Sequence, residues 1–173
     1  IARGFHAQHP TTGPPFPDGR DRPVMREPGR ERMKPDQKQW DERFRGKEFA
    51  FGKEANPFLK KHIRFLPIGK ALDIASGEGR NAVFLARRGF DVDAFDISKM
   101  GLRKTRQFAR ETGVTIHTLL VDLDNYRIKK EGYNLIANFY FLKRSLIPQI
   151  KGGLKRRGRV IFETYTLEQR MLG

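Results

Sequence analysis

Three aspartates, each at the end of an apolar run, and one glycine-containing turn are the residues here best suited to hold a nucleotide-like ligand. The stretch Ala71-Leu72-Asp73-Ile74-Ala75-Ser76-Gly77-Glu78-Gly79-Arg80-Asn81 reads as a strand running into a turn and then a helix. Glycines let the backbone approach a ligand closely, and the carboxyl ends of the strands in such a sheet form the binding crevice. A carboxylate at Asp73 would repel a diphosphate but attract a ligand with a cationic amino group. Asp96 follows Gly77 by 19 residues, a place from which a carboxylate accepts hydrogen bonds from both hydroxyls of a ribose. Asp122 ends a third run, where a carboxylate can accept from an adenine amino group. Turns favour aspartate on conformational grounds alone, so the signal is the coincidence of three at successive strand ends.

Those side chains need a scaffold that brings strand ends together. Apolar runs at 71–75, 92–95, 115–121, 133–139 and 159–164 alternate with helical stretches at 81–88, 98–112 and 143–154. Strand and helix alternating at this spacing predict a parallel α/β sheet with helices on both faces. Ahead of it lies an aromatic-rich lead-in with Trp40, Phe44, Phe49, Phe51 and Phe58, a turn at Phe51-Gly52 and a second helix opening at Asn56-Pro57. Residues 1–35 hold seven of the ten prolines and no hydrophobic periodicity, which reads as an irregular arm before a domain at 36–173.

Composition narrows the classes. The chain has 173 residues, enough for one core. Without cysteine it offers no disulfide, thiolate metal site or cysteine nucleophile; no metal site is expected, and a reducing cytoplasm is permitted. No apolar run reaches about 18 residues, so no membrane span is expected. The net charge of +15 raises nucleic acid as a partner, yet the excess is spread along the chain. The densest cluster, Lys151, Lys155, Arg156, Arg157 and Arg159, is expected at a helix end and the following turn, where cations complement the helix dipole. A solvated basic surface is therefore favoured over specific nucleic-acid binding.

The charge pattern around the turn favours S-adenosylmethionine over a nicotinamide dinucleotide. Residues 72–97, LDIASGEGRNAVFLARRGFDVDAFDI, closely resemble the motif region of the tellurite-resistance-type methyltransferases, a subgroup of the class I S-adenosylmethionine-dependent methyltransferases that also includes thiopurine methyltransferases. The resemblance covers about residues 40 to 166. It implies that Asp73 and the turn Ala75, Ser76, Gly77 and Gly79 hold the methionine part of the cofactor, with Asn81 also among the cofactor-binding residues. It further implies Asp96 and Ile97 for the ribose, Asp122 and Leu123 for the adenine, and Asn138 and Phe139 beside the reacting sulfonium. Phe49 to Phe58 resembles the N-terminal lid of such enzymes, whose aromatics either face the sulfonium or seal the core. The sequence departs from the family at Ala75, usually glycine, and at Asn134, usually aspartate.

Methyl transfer is an in-line displacement in which the protein aligns the acceptor and excludes water. A thiolate or metalloid anion needs no base, whereas an alcohol or amine benefits from one. Tyr140, after the fourth strand, is the candidate catalytic residue; His62 and His117 are candidates by type and are expected to be structural. A small-molecule acceptor is the leading expectation. RNA is the competitor, but the prolines of the Asn/Asp-Pro-Pro-Tyr/Phe motif are missing after Asn138. A noncatalytic cofactor-binding module is the reading from another class. A complete sheet of this class has strand order 3-2-1-4-5-7-6, and only five strands are found before Gly173. The domain thus reads as C-terminally incomplete, lacking strands 7 and 6, and the fifth strand is expected to self-associate through its open edge.

Overall fold

The structure, a computed structural model, describes residues 34–165. The expected arm lies outside the described residues up to Met33. In chain order the elements are α1 (Pro35–Arg43), α2 (Pro57–His62), β1 (Lys70–Ile74), α3 (Arg80–Arg87), β2 (Asp91–Asp96), α4 (Lys99–Glu111), β3 (His117–Leu120), β4 (Tyr133–Phe139), α5 (Ile147–Gly153) and β5 (Leu154–Glu163). The five strands form one parallel sheet in the order β3-β2-β1-β4-β5, as the alternation predicts.

The middle of the sheet is covered on both faces, and β1 and β4 are buried at nearly every position. On one face Ala71, Val92, Ala94, Leu135 and Ala137 pack with Leu59 of α2 and with Ala82 and Leu85 of α3. On the other, Leu72, Ile74, Phe95 and Ile136 meet Leu146 and Ile150 beside and within α5. This is the period-two alternation of strand side chains. The strand order reverses between β1 and β4, and a crevice must open beyond their carboxyl ends.

The turn after β1 works only with small residues. Gly79 has φ +86°, and a Cβ there would lie 2.6 Å from the Thr105 side chain, which is fully buried in α4. Gly79→Ala is expected to lower the unfolding free energy by about 2–4 kcal/mol, combining left-handed backbone strain with overpacking. Urea denaturation measures this, and a loss below about 1 kcal/mol would show that α3 and α4 can separate freely. Gly101 is similarly confined, since a Cβ would lie 2.8 Å from the Gly77 carbonyl oxygen.

The basic cluster is placed differently from the expectation. Only Lys151 is in the last helical turn, and Lys155, Arg156, Arg157 and Arg159 belong to β5. Tyr133 pairs with Leu154 but Leu135 pairs with Arg159, so residues 155–158 bulge out of the ladder with Arg157 at φ +63°. The bulge is exposed and carries no apolar side chain, which is why it reads as a turn. Beyond it, Val160 and Phe162 are 46% and 36% exposed on a strand paired on one side only among the described residues.

Candidate active site

Backbone strain marks the start of the site. Ala75, Gly77 and Gly79 have φ of +53°, +56° and +86°, and Ala75 adopts without glycine's freedom a conformation that costs an L-residue about 1–2 kcal/mol. The turn is tied down from two sides. Ser76 N–H donates to the Phe95 carbonyl at 3.0 Å, and Thr105 Oγ1 donates to the Gly77 carbonyl at 3.1 Å. Asp96, at the end of β2, accepts from Gly77 N–H through Oδ2 and from Ser98 N–H through Oδ1, each at 2.7 Å. Burial raises the Asp96 carboxyl above its usual range, and these backbone donors pull it back.

A cavity of about 340 Å³ opens over this turn at the reversal of strand order. Ala75, Ser76, Gly77, Asn81, Asp96, Ile97, Asp122, Leu123, Phe139 and Tyr140 all line it. Trp40 of α1, Phe44 just after it and Phe51 of the lead-in also line the cavity; Phe58 instead packs on His62, with ring centroids 4.4 Å apart. Three of the sequence candidates lie outside the lining. Gly79 is occupied in the α3–α4 contact, while Asp73 and Asn138 sit beneath the cavity floor, 1% exposed on neighbouring strands.

Asp73 and Asn138 nonetheless hold the most direct sign of a ligand. Asp73 Oδ2, Asn138 Oδ1 and Ser76 Oγ are buried without a hydrogen-bond partner among the described residues, and a buried orphan acceptor costs about 1–3 kcal/mol. Burial, with the Asp96 charge second, pushes the Asp73 carboxyl up to about 7, against the opposing pull of the Ala82 N–H and the Arg80 guanidinium. A cationic donor nearby would satisfy the oxygen and favour its ionised form. This set of acceptors fits the ammonium group at the amino-acid end of S-adenosylmethionine.

Asp122 is less free than its position in the sequence suggests. It accepts from Lys34, from the Asn125 amide at 3.1 Å and from Asp124 N–H at 2.9 Å, and Lys34 holds its carboxyl below the usual range.

Tyr140 also has φ +59°, a conformation rare for a bulky side chain and common where function stores strain. Its hydroxyl accepts from Asn56 Nδ2 and donates to Glu163 Oε1, both at 3.3 Å. Burial and the Glu163 carboxylate raise its pKa above the usual phenol value. Neither His62 nor His117 lines the cavity; His117 opens β3 with its ring 3.6 Å from Asp91, at the far end of the sheet.

Several residues of the site were not among the sequence candidates. Asp41 of α1 is buried and accepts from Ser98 Oγ at 2.6 Å and Met100 N–H at 3.0 Å, fastening the lead-in to the start of α4. Asn56 caps α2 by accepting from Phe58 and Leu59 N–H, and its own N–H donates to Asn81. The Asn56-Pro57 cap is visible in the sequence, but its partners are not.

The family model described as tellurite resistance protein TehB matches residues 44–166. The chain belongs to the TehB family. Its relatives include a protein of Haemophilus influenzae described as a probable S-adenosyl-L-methionine-dependent methyltransferase TehB, 30% identical over 94 residues that cover 53% of this chain and 32% of that one. The methyltransferase YbaJ of Bacillus subtilis, itself uncharacterized, is 34% identical over 40% of this chain and 28% of its own length. This TehB-family chain thus spans about a third of the curated relatives it matches. The same fold occurs in the PH0226 protein of Pyrococcus horikoshii, with a TM-score of 0.58 at 21% identity over 66% of this chain and 55% of that one. It also occurs in a phosphoethanolamine N-methyltransferase of Haemonchus contortus solved with S-adenosylhomocysteine, with a TM-score of 0.58 at 15% identity over 71% and 30%. The five-stranded sheet of this TehB-family chain thus has a fold that also occurs in a methyltransferase.

Proposed function

We propose that the cavity binds S-adenosylmethionine and that the protein transfers its methyl group to a small nucleophile such as a thiol or metalloid anion. The observation that carries this reading is the turn clasped by Asp96 beside a buried Asp73 oxygen that has no hydrogen-bond partner among the described residues. On this reading Asp73 and the turn at residues 75–79 hold the methionine part, Asp96 and Ile97 the ribose, and Asp122 and Leu123 the adenine. When bound, the cofactor supplies an electrophilic methyl group on a sulfonium. The chain's own residues then align and enclose: Phe139 and Tyr140 border the reacting end, and Trp40, Phe44 and Phe51 exclude water from it.

A small acceptor is favoured over RNA by where the charge lies. The basic bulge is beside Tyr133, at the start of β4, whereas the cavity lies beyond the end of that strand. Labelled methyl transfer from S-adenosylmethionine to thiols, selenite or tellurite, small amines and RNA tests the reading, with calorimetry of S-adenosylhomocysteine alongside. Binding with transfer to a small nucleophile is expected. Transfer to RNA at physiological salt would assign the acceptor to nucleic acid, and binding without any transfer would favour a noncatalytic module.

A further inference from the structure

The family-like stretch Gly77-Glu78-Gly79-Arg80-Asn81 contains three long polar side chains, and each of them grips the main chain of the lead-in. Phe51 is held at both of its backbone groups. Its N–H donates to Glu78 Oε2 at 3.4 Å, and its carbonyl accepts from Arg80 Nη1 at 3.1 Å. Five residues on, Asn56 N–H donates to Asn81 Oδ1 at 2.9 Å. From α4, Lys104 donates to the other Glu78 oxygen at 2.7 Å and to the Glu48 carbonyl.

The Glu78–Lys104 pair has side chains only 3% and 6% exposed. A pair buried to that degree gives little net stability, because desolvating two charges offsets their attraction. What it does provide is placement. One carboxylate oxygen is directed to Phe51 N–H, and one ammonium proton to the Glu48 carbonyl. Because all these contacts are made to backbone atoms, the path of residues 48–56 is fixed without dictating its side chains. Phe51 and Gly52 remain part of the cavity wall.

We propose that Glu78, Arg80 and Asn81 are positioning residues which, with Lys104, hold the main chain of residues 48–56 as the wall that the acceptor meets. The grip stands on the hydrogen bonds themselves, while its consequence for catalysis rests on the methyl-transfer reading above. Since Glu78 belongs to the turn, its hydrogen bond to Phe51 N–H ties the turn to the wall. The identity of the acceptor is then read by side chains on a wall whose backbone the turn has already set.

Hydrogen–deuterium exchange on the full chain without cofactor tests the grip, comparing peptides from 48–56 with peptides from β4. Arg80→Met and Asn81→Ala are each expected to speed exchange of the lead-in about tenfold and leave β4 unchanged. Arg80→Lys, which keeps a donor, is expected to restore most of the protection. Glu78→Ala alone would strand a buried ammonium and endanger folding, so the informative variant is the double change Glu78→Gln with Lys104→Met, which neutralises both and keeps their bulk. It should loosen the same peptides. Acceptor KM is expected to rise about tenfold in Arg80→Met, with a smaller change in the S-adenosylhomocysteine Kd; the Glu78 and Asn81 variants, which lie in the turn and cavity assigned to the cofactor, are read by exchange alone. Wild-type exchange of residues 48–56 in both Arg80→Met and the double variant would overturn the proposal, as would equal acceleration in β4 or an unchanged KM with a loosened wall. Loosened peptides in a protein that binds S-adenosylhomocysteine but methylates nothing would support the grip and sink the methyl-transfer reading.

Discussion

The affinity for S-adenosylmethionine is expected to fall about a hundredfold between about pH 7 and about pH 5, because the Asp73 carboxyl takes up a proton across that window. Its pKa in the folded protein is about 7, raised first by complete burial and then by the Asp96 charge. A cationic group bound beside it favours the ionised form, so binding must expel the proton, and each unit below that pKa weakens it about tenfold. Without ligand the sign is reversed. The folded state holds a proton that the unfolded chain releases near its ordinary value of 3.8, so this group's stability contribution is complete below that value and is lost as pH rises to about 7. The difference of about three units corresponds to about 4 kcal/mol. Calorimetry in buffers of different ionisation enthalpy reads the released proton, and Asp73→Asn should abolish both the release and the pH slope of stability. An affinity flat across this range would place the cationic group away from Asp73.

Asp96→Ala is expected to cost both fold and ligand. Its two oxygens accept from Gly77 and Ser98 N–H at 2.7 Å each, so truncation removes two charge-assisted hydrogen bonds and leaves two donors of the turn and of the α4 start unpaired. The expected loss of stability is about 2–4 kcal/mol. The turn would then no longer be preorganised, and the affinity for S-adenosylhomocysteine should fall about a hundredfold. Asp96→Asn keeps one acceptor and should fall between. Urea denaturation with calorimetry separates the two losses; near-normal affinity in a folded Asp96→Ala protein would remove Asp96 from the site.

The parts that were legible in the sequence share a physical reason. β1, β2 and β4 lie in the middle of a parallel sheet and are apolar enough on both faces to read as runs, and the helices between them carry a helical period. The site candidates were legible because strand ends in such a sheet converge, and Asp96, Ile97, Asp122, Leu123 and Phe139 reach the cavity for that reason alone. At the sheet's edges the pattern fades. β3 has three of its four residues exposed or nearly so and is shorter than its apolar run, and the bulge hid the first half of β5. The tertiary partners of Asn56 and Glu78 were not legible because they lie 25 and 26 residues away, at Asn81 and Lys104, and no local pattern records such a pairing. Tyr140 was picked by position, and only the geometry shows its hydroxyl set between the Asn56 amide and the Glu163 carboxylate.

The strand order also bears on how the chain is made. β1 is central, yet its inner neighbour β4 follows it by 64 residues. At a synthesis rate of about 5–20 residues per second, β1 waits roughly 3–13 s for that partner. During this interval β2 and α3 can cover one edge and one face, but Leu72 and Ile74 have nothing of β4 or α5 to pack against. Parallel pairing across such a separation is slow in any case, since the closure entropy must be met before contacts form. The nascent protein therefore emerges with its future centre exposed, and a ribosome-associated chaperone that binds short apolar segments should meet β1 first.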